Sequence, residues 1–415
     1  MTGPVPAGTP AASWYDLHMF RRLAIAGFLC VPLWGASYRF GAIWDGDKLW
    51  RDACILVEDQ KIQSVGECKG ESIDLTRYTA IPGLIDVHTH MTYILGNPVS
   101  RAGRGAATVF LAQDNARKTL ETGVTTVRDL GSSGYADIAM RDLIAAGKMV
   151  GPRMFVAGYG LQNTRGTNVT PNTAHGPEEV DKVARAQIAA GADWVKMYAS
   201  TGSGQDVSGT RTYSYEEIKA AVDAAHALGR RIAIHSYGPD AARDAVRAGV
   251  DSLEHGTDLD DETIAEMVRR KTVYVPTIDH NRYYADNFQL LRYPPEAVAR
   301  LNDFIARNLA TARKAIAAGV IVAMGSDAVY TMFGENTREL GWLVKAGMTP
   351  EQALRAGTMT GAALLGMEKS LGALREGYRA DVVAVEGDPL KDIQVAIDKV
   401  RWVMKDGQVV VDKRR

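Results

Sequence analysis

Short apolar runs alternate with stretches of helical periodicity through the middle of this 415-residue chain. Between residues 79 and 367 an apolar strand candidate precedes a helix candidate eight times. The strand candidates centre on Ile85, Val127, Phe155, Val195, Ile234, Leu253, Val275 and Ala323. The helix candidates carry apolar residues with a period of about 3.6, as in EEIKAAVDAAHALG, and several end at a glycine. Eight such units predict an α/β fold, a closed (β/α)8 barrel of the TIM type.

Both ends of the chain carry shorter strand-like runs that are separated by turn residues. These runs cover residues 42–43, 53–57 and 61–65 near the start and 381–385, 400–404 and 408–411 near the end. Neither group is long enough to bury a core alone. We therefore predict that residues 38–78 and 368–415 together form a small β-sandwich, with the barrel at 79–367 inserted between them.

Residues 1–37 form a leader with a different composition. From Met19 a basic segment, MFRR, is followed by the apolar run LAIAGFLCVPLWG and then by small residues up to Ser37. This order is typical of a secretory signal peptide, so we expect an exported protein, periplasmic or secreted. The alternative is a short amphipathic or membrane-anchoring helix on a cytoplasmic protein. The apolar run is too short to span a bilayer comfortably.

The balance of charges narrows the range of binding partners. The 48 basic residues nearly balance 49 acidic ones, so no electrostatic feature favours binding to nucleic acid or to an anionic membrane. We expect a small-molecule substrate and no membrane contact for the mature chain.

Cleavage of the leader would leave two cysteines, Cys54 and Cys68. They form either a disulfide in an oxidising compartment or two free buried thiols.

Two histidines follow the first apolar strand of the barrel pattern, in the segment IPGLIDVHTH. Residues two apart on an extended strand point to the same side, so His88 and His90 share one face and are able to bind one metal ion. A pair of surface histidines is the alternative for an HxH segment taken alone. The position at a strand end favours the metal site, because a βα-barrel presents its strand ends at one mouth.

A lysine lies within the fourth apolar strand, in the segment DWVKMYAS. Burying an ammonium group is costly unless it is paired, and burial leaves a neutral amine that is able to add carbon dioxide. The resulting carbamate is an anion that is able to bridge two cations. A salt bridge between Lys196 and a neighbouring carboxylate is the alternative interpretation of this residue.

Three further residues end later strands of the pattern. His235 and His255 close strands five and six, and as a pair at one mouth they predict the imidazole ligands of a second metal ion. Either one alone would be interpreted as a core histidine. Asp327 ends strand eight in VAMGSDA, where a carboxylate is able to bind a metal ion and to act as a general base and then as an acid. A helix N-cap is the alternative for Asp327.

This set of residues resembles the amidohydrolase superfamily, in its binuclear subtype with a carboxylated lysine. The resemblance rests on HTH after IPGLID, the strand-four lysine, the two strand-end histidines and the aspartate of GSD, and on the C-terminal segment GALREGYRADVVAVEGDPL. It covers the chain from about residue 38 to the end. Within the superfamily the chain is most similar to imidazolonepropionase-related, prolidase-like dipeptidases, a group that includes ochratoxin-hydrolysing amidohydrolases.

The resemblance implies two divalent metal ions, usually Zn²⁺, bridged by a carbamate on Lys196 and by a hydroxide. The hydroxide attacks an amide carbonyl, with Asp327 as general base and acid. The expected substrate is an Xaa-Pro-like dipeptide or an N-acyl amino acid, ochratoxin-type amides included, and we expect a homo-oligomer. A cyclic amide hydrolase, a lactonase or esterase, and an inactive binding homologue remain as alternatives. A mononuclear deaminase is disfavoured because it would lack the strand-four lysine.

Five further residues are expected to contact the substrate: Tyr237, His175, Tyr198, Arg165 and His280. Tyr237 and His175 fall where the family has its substrate-contacting residues. Tyr198 lies two residues beyond Lys196 and shares its face of the strand. The loop that precedes His175 is longer and more polar than is usual in the family. Arg165 within this loop is therefore an alternative contact for a substrate carboxylate. His280 follows strand seven.

Overall fold

The structure, a computed structural model, describes residues 35–94, 105–163 and 170–414. The leader up to residue 34 and the expected substrate contact Arg165 therefore lie outside the described residues. In the part that the structure describes, no helix combines the length and the apolar character that crossing a membrane would require.

Strands dominate both ends of the chain and alternate with helices between them. The strands are β1 Ala36–Trp44, β2 Leu49–Glu58, β3 Lys61–Gly66, β4 Ile73–Pro82, β5 Leu84–Thr89, β6 Val124–Asp129, β7 Arg153–Val156, β8 Trp194–Tyr198, β9 Arg231–Ser236, β10 Ser252–His255, β11 Val273–Val275, β12 Val382–Val385, β13 Val400–Lys405 and β14 Gln408–Asp412. The helices are α1 Gly105–Glu121, α2 Ala136–Ala145, α3 Gly176–Ala189, α4 Tyr215–Ala227, α5 Pro239–Ala248, α6 Asp261–Arg270, α7 Ile278–Asp286, α8 Pro295–Ala317, α9 Arg338–Lys345, α10 Pro350–Ala356, α11 Met359–Leu364 and α12 Gln394–Asp398, with a 3-10 helix at Tyr330–Met332.

The two ends of the chain meet in one seven-stranded sheet of order β14-β13-β12-β4-β1-β2-β3. The junction is the antiparallel pairing of β4 with β12, and β1 runs parallel to β4. Phe40, Ile43 and Trp402 lie in its core. The strands from both ends combine as expected. In the described residues, however, they form one continuous hydrogen-bonded sheet, so the two facing layers of the expected sandwich are not seen.

A disulfide links Cys54 of β2 to Cys68, which follows β3, with a Cα–Cα distance of 4.9 Å. The antiparallel pairing of β2 with β3 places Cys54 opposite Gly66, and this register brings the second cysteine within bonding range. Of the two interpretations that the sequence left open, the structure therefore contains the disulfide.

Seven of the eight predicted barrel strands are present, in two parallel sheets of order β5-β6-β7 and β11-β10-β9-β8. Every residue of β5 and β6 is buried, as is usual where both faces of a parallel sheet are covered. The sheet pairings themselves do not close into a barrel, so closure stays a prediction. Single bridges pair Leu161 with Met197 and Tyr274 with Val322, next to the sheet edges.

The eighth predicted strand, around Ala323, is wrong as a regular strand. This segment makes isolated bridges at Val322 and Ala328 rather than a continuous ladder. Two local causes interrupt it. A Cβ on Gly325 would lie 2.4 Å from a side-chain carbon of Val275, and Asp327 has a left-handed φ of 51°. The chain thus approaches β11 closely at Gly325 and changes direction at Asp327.

Candidate metal centre

Asp327 lies at the centre of a buried group of imidazoles. Its Oδ1 lies 3.5 Å from His88 Nε2 and 3.3 Å from His90 Nε2. Its Oδ2 lies 3.2 Å from His280 Nε2 and 4.0 Å from His255 Nε2. All five side chains are buried. Four ring nitrogens from three parts of the chain therefore face one carboxylate, and this convergence is typical of a metal site.

The backbone holds Asp327 in this position through β5. The Asp327 amide donates to the His88 carbonyl at 2.7 Å. The buried Asp86 carboxylate accepts from the Ser326 amide at 2.9 Å and from the Ser326 hydroxyl at 2.5 Å. A left-handed φ at a non-glycine residue costs about 1–3 kcal/mol. These hydrogen bonds offset that cost and keep the carboxylate aimed at the histidines.

The other ring nitrogen of each of three histidines is already bound. Nδ1 of His88 lies 2.7 Å from Glu254 Oε2. Nδ1 of His90 lies 3.1 Å from the Gly131 carbonyl oxygen, and Nδ1 of His255 lies 2.6 Å from Thr277 Oγ1. Such partners fix the tautomer and the ring orientation of metal-binding histidines. With the proton on Nδ1, each Nε2 would keep its lone pair for a metal ion beside Asp327.

Lys196 is fully buried and its Nζ lies 3.5 Å from His88 Nε2. Across the described ranges, no carboxylate approaches Nζ closely enough for a salt bridge, so the alternative interpretation of a paired ammonium is not supported. Burial lowers the pKa of Lys196 to about 8. The neutral amine, which is the form that adds carbon dioxide, is therefore more available near neutral pH than in an exposed lysine.

His235 completes the set of predicted ligands. Its ring centroid lies 4.5 Å from that of His255. Ligand atoms of His88, His255 and Asp327 lie within 4.8 Å of one another, which makes them a possible metal site. Buried imidazoles with a carboxylate suit a divalent ion such as zinc. The donor set therefore fits the metal that the sequence predicted.

The protonation states also fit metal binding. Burial lowers the pKa of His88 to about 4 and holds the pKa values of His235 and His255 well below the usual 6.5. Burial alone would raise the pKa of Asp327, but the neighbouring imidazoles of His280, His88 and His90 outweigh burial and hold that pKa well below 3.8. The imidazoles are then neutral and the carboxylate ionised near pH 7, which are the forms that bind metal ions.

A cavity of about 220 Å³ opens beside this cluster. Its lining contains all six predicted metal ligands and three of the expected substrate contacts, Tyr198, Tyr237 and His280. Three other tyrosines, Tyr93, Tyr284 and Tyr330, also face it. His175 is different. It is exposed at the N-cap of α3 and is not among the described residues that line the cavity, so its position gives no support to a substrate contact.

The sequence analysis missed several residues around the site. Arg128 and Glu254 are fully buried charges on β6 and β10, and they form an ion pair at 2.9 Å. The signal that identified Lys196, a charged residue within an apolar strand, would have found both. The tyrosines of α7 and of the segment after β5 carried no comparable signal, because aromatic residues are ordinary in cores.

Comparison with known proteins agrees with this geometry. The Amidohydrolase family model matches residues 79–410. An ochratoxinase from Aspergillus niger is 31% identical over 398 residues, covering 85% of this chain and 80% of the relative. An imidazolonepropionase from Clostridium tetani is 24% identical over 443 residues, covering 91% of this chain and 95% of the relative.

Two solved structures resemble the fold closely. A Xaa-Pro dipeptidase with bound methionine in the active site superimposes with a TM-score of 0.82 at 31% identity, covering 90% of this chain and 99% of that structure. The A. niger ochratoxinase structure superimposes with a TM-score of 0.77 at 27% identity, covering 91% of this chain and 95% of that structure. This chain therefore belongs to the amidohydrolase family, in the group that relates imidazolonepropionase, prolidase-like enzymes and ochratoxinase, and it is a hydrolase acting on C–N bonds.

Proposed function

We propose that the protein is a binuclear metal-dependent amide hydrolase that cleaves Xaa-Pro-like dipeptides or N-acyl amino acids, ochratoxin-type amides included. One observation carries the proposal. Five histidines, a buried lysine without a carboxylate partner and Asp327 face a single cavity. An inactive binding protein would have no need for so many costly buried polar groups.

The residues divide into two sets that would each hold one ion. His88, His90 and Asp327 would hold one ion, and His235 and His255 the other; Asp327, whose Oδ2 also lies 4.0 Å from His255 Nε2, would lie next to both sets. Lys196 as a carbamate would bind both ions. When bound, the two ions would polarise the substrate carbonyl and make water nucleophilic near neutral pH.

The chain's own groups account for the proton transfers. Asp327 is ionised, so it is able to take a proton from the attacking water and to deliver it to the nitrogen of the leaving amine. The hydroxyl part of the water joins the acyl carbon as the C–N bond breaks, which balances the reaction. The Tyr237 ring stacks on His235 and its hydroxyl donates to Asn281 at 3.4 Å, and from this position it would hold the substrate carbonyl or its carboxylate.

The cavity lining and the relatives together favour amides with an apolar side chain or ring. The cavity has a volume of about 220 Å³. One relative is an ochratoxinase and one structural neighbour is a Xaa-Pro dipeptidase. The tyrosine-rich wall offers apolar faces to a proline ring or a phenylalanine side chain.

An amide screen tests the proposed function. Zinc-loaded full-length protein is incubated with Xaa-Pro dipeptides, N-acyl-phenylalanines and lactones of matched size. We expect free amino acid to be released from at least one amide, and we expect this activity to be lost after chelation and restored by added zinc. Turnover of the lactones with every amide left intact would contradict the proposal and favour a lactonase.

We also propose that the protein is exported. The support is the signal-like leader and the disulfide between Cys54 and Cys68, because disulfides persist mainly in oxidising compartments. Protein isolated from its native host is expected to begin near residue 38 and to carry no thiol at these two positions. N-terminal sequencing and thiol labelling with and without reductant measure this. An intact leader with two labelled thiols would show a cytoplasmic protein.

A further inference from the structure

Two opposite charges lie inside the barrel region away from the cavity lining. Arg128 on β6 and Glu254 on β10 are each 0% exposed, and Arg128 Nη2 lies 2.9 Å from Glu254 Oε1. A buried ion pair carries a large desolvation cost and is weak evidence for stability by itself. The pair therefore calls for another role.

Arg128 holds one end of the Glu254 carboxylate rigidly. Its Nε donates to the Val87 carbonyl at 2.6 Å and its Nη1 to Ser252 Oγ at 2.9 Å. Its guanidinium carbon also lies 4.4 Å from the ring centre of Trp194. Because Ser252 Oγ in turn donates to Glu254 Oε1 at 2.6 Å, that oxygen is bound from two sides. The second oxygen, Oε2, is left to face the metal ligands.

Glu254 Oε2 lies 2.7 Å from Nδ1 of His88. The partners of the other histidines that line the cavity are neutral: the Gly131 carbonyl for His90, the Thr201 backbone for His235, the Thr277 hydroxyl for His255 and the Asp327 carbonyl for His280. A charged acceptor binds an N–H about twice as strongly as a neutral one. His88 is therefore distinguished, within the described cluster, as the imidazole with an anionic partner.

We propose that Glu254 and Arg128 are positioning residues for His88. Glu254 keeps the His88 proton on Nδ1, so the Nε2 lone pair faces the metal site, and it makes this imidazole the strongest donor of the cluster. Arg128 holds the carboxylate in place and balances its charge. This inference rests on the proposed function only in that a metal ion occupies the site.

The tautomer of His88 tests the inference without any metal or substrate. In ¹⁵N NMR spectra of metal-free protein labelled at histidine, the His88 signals are assigned by their loss in His88→Asn. We expect a single tautomer with the proton on Nδ1 in the wild type and a mixture of tautomers in Glu254→Gln. A wild-type His88 that is a mixture, or that is protonated on Nε2, would overturn the inference even if the variant fails to fold.

Metal affinity gives a second readout. Chelator competition is expected to show one ion bound about 10- to 100-fold more weakly in Glu254→Gln than in the wild type. Because the role is positional, saturating zinc should restore most of kcat with KM unchanged. Arg128→Lys should retain more affinity than Arg128→Gln. Wild-type affinity for both ions in a folded Glu254→Gln variant would contradict the proposed role.

Asp381→Asn is the matched control. Asp381 is also buried and pairs with an arginine, Arg153, at 2.8 Å, but neither residue lines the cavity. This variant should lose stability and keep both metal affinities. Equal losses of metal affinity in Glu254→Gln and Asp381→Asn would show that Glu254 has only a structural role. A wild type that binds two ions but cleaves no amide would refute the proposed function and leave this inference intact.

Discussion

Replacing Lys196 by alanine is expected to lower kcat/KM by about 10³-fold or more and to reduce bound zinc below two ions per chain. The fully buried amine lies 3.5 Å from His88 Nε2, and as a carbamate it would be a second anion of the described lining, beside Asp327. Metal ions contribute several kcal/mol of transition-state stabilisation, and each factor of ten corresponds to 1.36 kcal/mol. Steady-state kinetics with metal analysis of the same samples measures both effects.

Chemical rescue tests whether Lys196 acts as a carbamate or as an unmodified lysine. A small carboxylate such as formate or acetate is expected to restore part of the activity and of the metal content of Lys196→Ala, because it supplies the missing anion in the space of the side chain. Lys196→Arg should stay inactive, since a guanidinium does not form a carbamate under these conditions. Lys219→Met, which removes an exposed lysine paired with Asp223, is the control that should behave as wild type. Two bound ions and full activity in Lys196→Arg would refute the carbamate.

Replacing Asp327 by asparagine is expected to lower kcat by about 10²- to 10⁴-fold, the usual range for a general acid–base group. The asparagine keeps the size of the side chain but cannot take a proton from water. KM should change less than kcat, because the group acts on the reacting atoms rather than on the distant part of the substrate. Steady-state kinetics on the best amide from the screen provides the measurement.

The leaving group shows whether Asp327 also acts as the acid. An anilide with an electron-withdrawing ring needs little protonation to leave, so Asp327→Asn should impair its cleavage less than that of an alkyl amide. Metal content is measured alongside, because Asp327 also faces four histidines. Asp381→Asn serves again as the buried carboxylate outside the cavity. An equal loss for both leaving groups would contradict the role of acid and leave Asp327 as a ligand or base.

The residues of the proposed metal site were accessible from the sequence because their positions follow from local geometry. His88 and His90 lie two residues apart on one strand, and Lys196 interrupts an apolar run. Parallel strands present their carboxyl ends at one edge, so residues at those ends are brought together whatever the loops between them do. The substrate contacts were harder to place, as His175 shows. It lies on the surface, because loop conformation decides where such a residue points.

What the sequence determined by itself is the alternation of strands and helices and the residues at the strand ends, since both depend on periodicity and short spacing. The tertiary structure decided the rest. Only packing brings Glu254 to His88 across 166 residues, places His280 against Asp327 and closes the disulfide at Cys68. Likewise, the close approach of Gly325 to β11 and the left-handed turn at Asp327 replace the eighth strand, and no hydrophobic pattern records such contacts between distant segments.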